Sequence, residues 1–180
     1  MKKNILLIFI ILILAIFLLQ GVHFQSVDEY YLEHIDDITP ESETVFISIR
    51  CDTILQNYDD LDEHLKSNEY VPVDGQILAS TEYVLREGDT AFDILHRAVR
   101  HNKIQMEYQG ADKNIYSSVY VQGINYLYEF SCGPLSGWTF KVNGQFTKQG
   151  CSNYKLKDGD VIEWLFTCNL GKDVGNVWEN

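Results

Sequence analysis

The chain has 180 residues and a mass of 20.8 kDa, a length typical of one domain with an additional terminal segment. Apolar residues make up 46% of the sequence and charged residues 22%, a composition that supports a packed core and excludes global disorder. The formal net charge is −12, and a surface this acidic repels phosphate backbones, so nucleic acid is not an expected partner.

The N-terminal segment 1–24 predicts export. Lys2 and Lys3 precede an unbroken apolar run, 5–19, and a helix extended through Val22 would span about 27 Å, enough to cross a slightly thinned bilayer. The positive charges place the N-terminus in the cytoplasm and the rest outside. Because no small-x-small cleavage motif follows, an uncleaved signal anchor is favoured over a removed signal peptide. We therefore expect a cell-membrane protein with an extracellular domain, or a secreted protein if the segment is cleaved.

The segment 25–43 is acidic and contains no Lys or Arg. This pattern is typical of a solvated spacer, here between the membrane and a folded domain predicted for residues 44–180.

Two strands are predicted at opposite ends of that domain, Thr44 to Cys51 and Val161 to Cys168. In each strand apolar side chains alternate onto one face, and these are the most apolar strands of the domain. We therefore expect them to lie side by side and parallel at the centre of a mixed sheet, in a β-grasp-like arrangement.

One amphipathic helix is predicted between the strands. Thr90 and Asp93 fit a capping box at its start, and Asp93 and Arg97 are spaced to pair on its solvent face. The helix is expected to end near His101, and its apolar stripe is formed by Ala91, Phe92, Leu95, Ala98 and Val99.

Further strands complete an α+β fold, in which the single helix packs across the sheet. A hairpin is predicted where Trp138, Phe140 and Val142 alternate up to Asn143-Gly144, a pair suited to a two-residue type I′ turn. The remaining predicted strands are Glu82 to Arg86, Ile104 to Tyr108, Tyr116 to Gln122 and Tyr126 to Phe130.

The four cysteines contain no C-x-x-C pair, and in an exported domain disulfides are the default. Three connectivities are possible. Since Cys51 and Cys168 each end the core-facing series of a central strand, parallel pairing would bring them to one end of the sheet. This leaves Cys132 to pair with Cys151 around the Trp138 hairpin.

The residues do not predict catalysis. No Ser-His-Asp constellation, P-loop or zinc-binding H-E-x-x-H motif is present, and the helical pair His96 and His101 does not share a face. The acidic run 59–63 lacks the glycine and the spacing of an EF-hand, so a solvated loop is favoured over a calcium site. We therefore predict a non-enzymatic protein without a bound metal or required cofactor.

The segment around Trp138 is the candidate ligand site. A loop braced by cysteine and ending in Gly-Trp is suited to present an apolar surface to a flat ligand or to a protein. The alternative is that Trp138 and Phe140 are core residues of the hairpin, with Leu135 and Ser136 the more exposed members. The candidate ligand-binding residues are Tyr128, Leu135, Ser136, Gly137 and Trp138.

Five short motifs together resemble the transcobalamin-like C-terminal domain family, which is found in exported proteins of Gram-positive bacteria. In this sequence they are the segments 48–52, 87–90, 132–138, 142–144 and 156–164. The resemblance covers roughly residues 44–171 and implies a small β-grasp-like domain on the cell surface that binds a ligand, with a corrinoid such as cobalamin as the named candidate.

Two functions are predicted from these observations. The first is a membrane-anchored extracellular module that binds a small hydrophobic or corrinoid ligand without enzymatic activity. The alternative is an interaction or accessory module of the cell envelope, whose aromatic face docks a cell-surface protein.

Overall fold

This computed structural model describes residues 36–115 and 117–176, and that part of the chain contains eight strands and two α-helices. The strands are β1 (Thr44–Arg50), β2 (Gln76–Val84), β3 (Met106–Gln109), β4 (Tyr120–Ile124), β5 (Leu127–Tyr128), β6 (Gly137–Val142), β7 (Gln145–Phe146) and β8 (Val161–Thr167). The helices are α1 (Asp52–Gln56) and α2 (Ala91–His101).

The main sheet has five strands in the order β2-β1-β8-β6-β7. Strands β1 and β8 are parallel neighbours, with Ile47 opposite Ile162 and Ile49 opposite Trp164, while the other pairs are antiparallel. These four side chains are buried, because the period of two in each strand turns them all to the core. The prediction that the first and last strands lie together at the sheet centre is confirmed.

Helix α2 begins as the sequence predicts. The Asp93 backbone N–H donates to Thr90 Oγ1 at 3.3 Å, and the Thr90 backbone N–H donates to the Asp93 carboxylate at 2.9 Å, which completes the capping box. The buried face of α2 packs in the same core as β1 and includes Ile94, which the predicted stripe omitted.

The predicted pair between Asp93 and Arg97 is wrong. Arg97 Nη2 lies 2.6 Å from the Asp89 carboxylate and donates to the Val84 carbonyl oxygen at 2.8 Å. The Asp93 carboxylate is engaged by the Thr90 backbone and hydroxyl at the helix start, so it is occupied as a cap.

The predicted hairpin is confirmed. Strands β6 and β7 pair on either side of Asn143-Gly144, and both turn residues have positive φ, 52° and 74°. Positive φ at both central positions is the requirement of a type I′ turn, which Asn and Gly tolerate best.

The single predicted sheet is incomplete, because β3, β4 and β5 form a separate three-stranded sheet. Strand β2 is also longer than predicted, spanning Gln76–Val84 rather than starting at Glu82. Its exposed positions are mostly polar, and its pairing with β1 contains a register shift. The alternation of apolar and polar residues is therefore weak in the first half of the strand, and the sequence did not predict where it starts.

The predicted anchor 1–24 and most of the predicted spacer 25–43 lie outside the described residues. Within 36–115 and 117–176, no helix has the length and apolar character needed to span a membrane.

Candidate functional site

The loop 132–136, which joins β5 to β6, is held by the side chain of Ser136. Its Oγ accepts the backbone N–H of Cys132 at 3.0 Å and donates to the carbonyl of Gly133 at 2.9 Å. Ser136 is only 5% exposed. The expectation that Ser136 is one of the more exposed residues of the loop is therefore wrong, because its hydroxyl takes the place of water as the hydrogen-bond partner of the loop backbone.

An open cavity of about 450 Å³ lies where this loop meets the segment that follows β8. The backbone N–H of Leu170 donates to the carbonyl of Leu135 at 2.9 Å and joins the two segments. Residues of both segments, of β4 and β6, of the end of β8 and of the chain just after β5 line the cavity, among them Tyr120, Glu129, Phe130, Leu135, Ser136, Gly137, Trp138, Thr167, Leu170 and Lys172. Four of the five predicted ligand-binding residues, Leu135, Ser136, Gly137 and Trp138, are thus brought together.

Three large apolar side chains remain exposed on this cavity. They are Phe130, Leu135 and Leu170, with 63%, 43% and 59% of their surface accessible. Phe130 and Leu170 also have left-handed backbone, with φ of 69° and 49°. Bulky residues rarely adopt this conformation, which costs on the order of 1–3 kcal/mol and tends to occur at ligand-binding segments. Leu170 was not singled out by sequence reasoning, since no local pattern signals its conformation.

The turn after β8 is built around Asp173, which holds Leu170 in place. One carboxylate oxygen accepts the Thr167 hydroxyl, and the other accepts the Cys168 backbone N–H at 2.7 Å. Thr167 Oγ1 in turn accepts the N–H of Gly171 at 2.7 Å. Gly171 has a φ of 86°, and a Cβ there would approach the Asn176 Cβ to 2.7 Å, so this position requires glycine.

Trp138 is both a core residue and a wall of the cavity. Its indole N–H donates to the Leu127 carbonyl at 2.7 Å, and its ring meets Phe166 edge-on with centroids 5.3 Å apart. The side chain packs against both buried clusters of the protein while its remaining surface lines the cavity. The two alternatives stated for Trp138 therefore describe different faces of one half-buried ring.

Few charged groups reach the cavity. Glu129 accepts the Tyr120 hydroxyl hydrogen bond at 2.5 Å, and Lys172, which is exposed, is the other charged residue of the lining. An apolar lining with a small number of polar groups is typical of small-molecule sites.

Tyr128 is not part of this cavity. Its hydroxyl accepts from Gln105 Nε2 at 2.8 Å and donates to the Glu107 carboxylate at 2.9 Å. Burial raises the pKa of Tyr128, and the hydrogen bond to Glu107 raises it further. The ring covers Gly123 so closely that a Cβ there would lie 2.7 Å from it. Tyr128 braces the smaller sheet and lines a separate cavity of about 280 Å³, and its role in ligand binding stays a prediction.

A second cavity of about 390 Å³ adjoins the first. Tyr120, Trp138 and Thr139 line both of them, and Phe140 and Trp164 line the second. Phe140 stacks on Trp164 with centroids 5.2 Å apart. The two cavities therefore share the β6 residues Trp138 and Thr139 as a common wall.

All four cysteines are thiols in this structure, and neither predicted disulfide is formed. Cys132 Sγ lies 3.5 Å from Cys168 Sγ, whereas Cys151 belongs to the other buried cluster and contacts the Val119 carbonyl. The predicted pairing assumed that Cys168 continues the alternation of β8. Because β8 ends at Thr167, one residue before Cys168, strand alternation no longer orients that side chain.

Burial is the main cause of the high thiol pKa values. It raises the pKa of Cys51 and of Cys132 to about 12 and that of Cys151 to about 11, and it raises the pKa of Cys168 as well. Thiols in this state are protonated at neutral pH and are poor nucleophiles.

The pKa of Cys51 predicts a loss of stability at alkaline pH. The folded chain keeps this proton up to about pH 12, while an unfolded thiol titrates near 9.0, so the stabilisation is complete below pH 9 and decreases above it. We expect the free energy of unfolding to fall more steeply in the wild type than in Cys51→Ala between pH 9 and 11, by up to about 1.4 kcal/mol per pH unit. Urea titrations under reducing conditions measure both slopes, and equal slopes would contradict the prediction.

No metal centre is evident at the acidic run 59–63. Within residues 36–115 and 117–176, no group of three or more His, Cys, Asp or Glu side chains is arranged to hold a metal ion. Residues 58–60 and 63–65 form short 3₁₀ turns, and Glu63 is paired with Lys66 at 2.9 Å.

Comparison of this chain with known proteins finds only limited similarity. No curated protein matches the sequence. Haptocorrin in complex with Cbi aligns at 13% identity with a TM-score of 0.48, over 74% of this chain and 27% of the haptocorrin chain. A Ruminococcus gnavus protein for which metal binding has been suggested aligns at 9% identity with a TM-score of 0.42, over 69% of this chain and 96% of that protein. The chain thus spans about a quarter of haptocorrin, and TM-scores below 0.5 support no inference about ligand or activity.

A family described as "Domain of unknown function (DUF4430)" matches residues 88–167, from the turn before α2 to the last residue of β8.

Proposed function

We propose that this chain is a non-enzymatic, membrane-anchored extracellular module of the β-grasp-like, transcobalamin-like type. Its cavity between the loop 132–136 and the turn after β8 binds a small hydrophobic ligand. The observation that carries the proposal is the display of Phe130, Leu135 and Leu170 around one cavity, two of them on left-handed backbone.

The size of the site favours a ligand with an extended flat face. A cavity of about 450 Å³ is within the range of small-molecule sites, roughly 300–1,000 Å³. The adjoining cavity of about 390 Å³ continues the surface past Trp138. A corrinoid, the ligand that the motif resemblance implies, is a large ring with a flat face, and Tyr120 and Trp138, which line both cavities, are the aromatic side chains it would contact in each.

The charge of the protein favours a neutral or cationic ligand over an anionic one. The net charge of −12 repels anions, and Lys172 is the cationic side chain among the residues that line the larger cavity.

Two observations support a binding module at the cell surface. Burial raises the pKa values of Cys51, Cys132 and Cys151, so these thiols are weak nucleophiles at neutral pH. The segment 1–24 has the composition of a signal anchor, which would hold such a module at the membrane.

Alanine substitution of the exposed side chains tests the proposal. Isothermal titration of the full-length protein with cobinamide and with cobalamin is expected to show binding that Phe130→Ala and Leu170→Ala each weaken about tenfold, since each loses about 1.5 kcal/mol of apolar contact. Both side chains are mostly exposed, so thermal stability is expected to change little.

Ile115→Ala is the matched control. Ile115 is 91% exposed and lies outside the cavity, so its loss removes apolar surface without touching the site. No heat with either corrinoid at millimolar concentration, or equal weakening by Ile115→Ala, would contradict the corrinoid proposal.

The alternative is a cell-envelope interaction module, and the exposure of Phe130 and Leu170 also favours it. Protein-docking surfaces place large apolar side chains in solvent-accessible patches. Loss of a co-purifying envelope protein in Phe130→Ala, together with absent corrinoid heat in the wild type, would select this alternative.

A further inference from the structure

Cys132 and Cys168 meet behind the ligand cavity. Their Sγ atoms are 3.5 Å apart, and both residues belong to or pack against the smaller buried cluster. A disulfide requires a separation of about 2.05 Å, so the two sulfur atoms must approach by about 1.5 Å to form one.

The two thiols differ in access to solvent. Cys132 is 2% exposed and contacts the Asn57 carbonyl at 3.4 Å, while Cys168 is partly exposed and contacts Thr53 Oγ1 at 3.7 Å. An external reagent therefore reaches Cys168 first, and Cys132 is placed to resolve the product.

We propose that Cys132 and Cys168 form an oxidative modification site, in which thiol–disulfide exchange with an external disulfide joins them and leaves Cys51 and Cys151 as thiols. The inference goes beyond ligand binding and does not depend on the identity of the ligand.

The reaction proceeds in two balanced exchanges. The Cys168 thiolate attacks a sulfur of the external disulfide, forms a mixed disulfide and releases one external thiolate. The Cys132 thiolate then attacks the Cys168 sulfur, forms the internal bond and releases the second external thiolate. The protein loses two electrons and two protons, and the external disulfide is reduced to two thiols.

The structural effect follows from the position of the pair. Cys132 begins the loop that carries Leu135, and Cys168 begins the turn that carries Leu170. The bond adds a covalent link to the hydrogen bond that already joins these segments at 2.9 Å, and so it fixes the two walls of the cavity relative to each other.

The surroundings predict that exchange is faster at alkaline pH. The groups that face the pair are Thr53, Asp60, Asp173 and the Cys51 thiol, and both carboxylates disfavour a thiolate. Burial is the main cause that raises the pKa of both thiols, so the reactive fraction grows as pH rises toward and above 9.

Peptide mapping identifies the link directly. Trypsin places each cysteine on a separate peptide, 51–66, 114–141, 149–155 and 158–172. After equilibration of the reduced full-length protein with excess oxidised glutathione and alkylation under denaturing conditions, we expect peptide 114–141 to be joined to 158–172. Peptides 51–66 and 149–155 are expected to be alkylated.

Variants separate the steps. Cys132→Ala is expected to accumulate glutathione on Cys168, and Cys151→Ala, the matched control, is expected to keep the link. Oxidation is expected to raise the Tm of the wild type and of Cys151→Ala but not that of Cys132→Ala. Any one of four results would overturn the proposal: a bond from Cys51 to Cys168, a bond from Cys132 to Cys151, four free thiols, or glutathione retained on Cys168 of the wild type.

Discussion

Trp138→Ala is expected to lower the free energy of unfolding by about 3–5 kcal/mol. The substitution removes a ring that packs against both buried clusters and contacts Phe166 edge-on. It also leaves the Leu127 carbonyl without its indole donor at 2.7 Å. Urea unfolding monitored by far-UV circular dichroism measures the change.

Trp138→Phe is the control for this prediction. It keeps an aromatic ring in contact with Phe166 but removes the N–H donor, so we expect a loss of about 1–2 kcal/mol. If alanine and phenylalanine destabilised the protein equally, the packing of the ring between the clusters would not be the main contribution.

Arg97→Met is expected to destabilise the protein by about 2–3 kcal/mol, because it leaves the Asp89 carboxylate without its cationic partner in a largely buried position. The side chains of Arg97 and Asp89 are 17% and 11% exposed, and their charged atoms are 2.6 Å apart. Arg97 also donates to the Val84 carbonyl, which connects the pair to the end of β2. Chemical denaturation of the variant gives the loss directly.

The double variant Asp89→Asn, Arg97→Met distinguishes the charge from the packing. Neutralising both partners removes the isolated charge and keeps an acceptor for the Arg86 backbone N–H, which donates to Asp89 at 2.8 Å. We therefore expect the double variant to recover a large part of the loss. A double variant as unstable as Arg97→Met would show that the buried charge is not the cause.

The sheet centre could be predicted because the information is local. Alternating apolar residues in β1 and β8 identify two strands with one buried face each, and the strong capping box of α2 marks a single helix between them. The same applies to the Asn143-Gly144 turn, where residue type alone determines the permitted dihedrals.

The candidate site was predicted only in part. Leu135, Gly137 and Trp138 come from one short segment, and a Cys-to-Trp loop is visible in the sequence. Leu170 joins them through the turn built on Asp173, a contact made only after the sheet is assembled. The cysteine partners were missed because the alternation of side chains between two faces holds only inside a strand, and Cys168 lies just beyond the end of β8.

The central parallel pair has a consequence for folding. Phe46 and Val161 are register partners, so the middle of the sheet joins residues separated by most of the domain. Such high contact order slows folding, because a large loop must close before the pairing stabilises it. During synthesis, β1 can pair only with β2 until β8 emerges, and an isolated pair of strands is marginally stable in water. The last strand to leave the ribosome therefore completes the domain, and a chain truncated before Val161 exposes an unpaired apolar strand edge that invites aggregation.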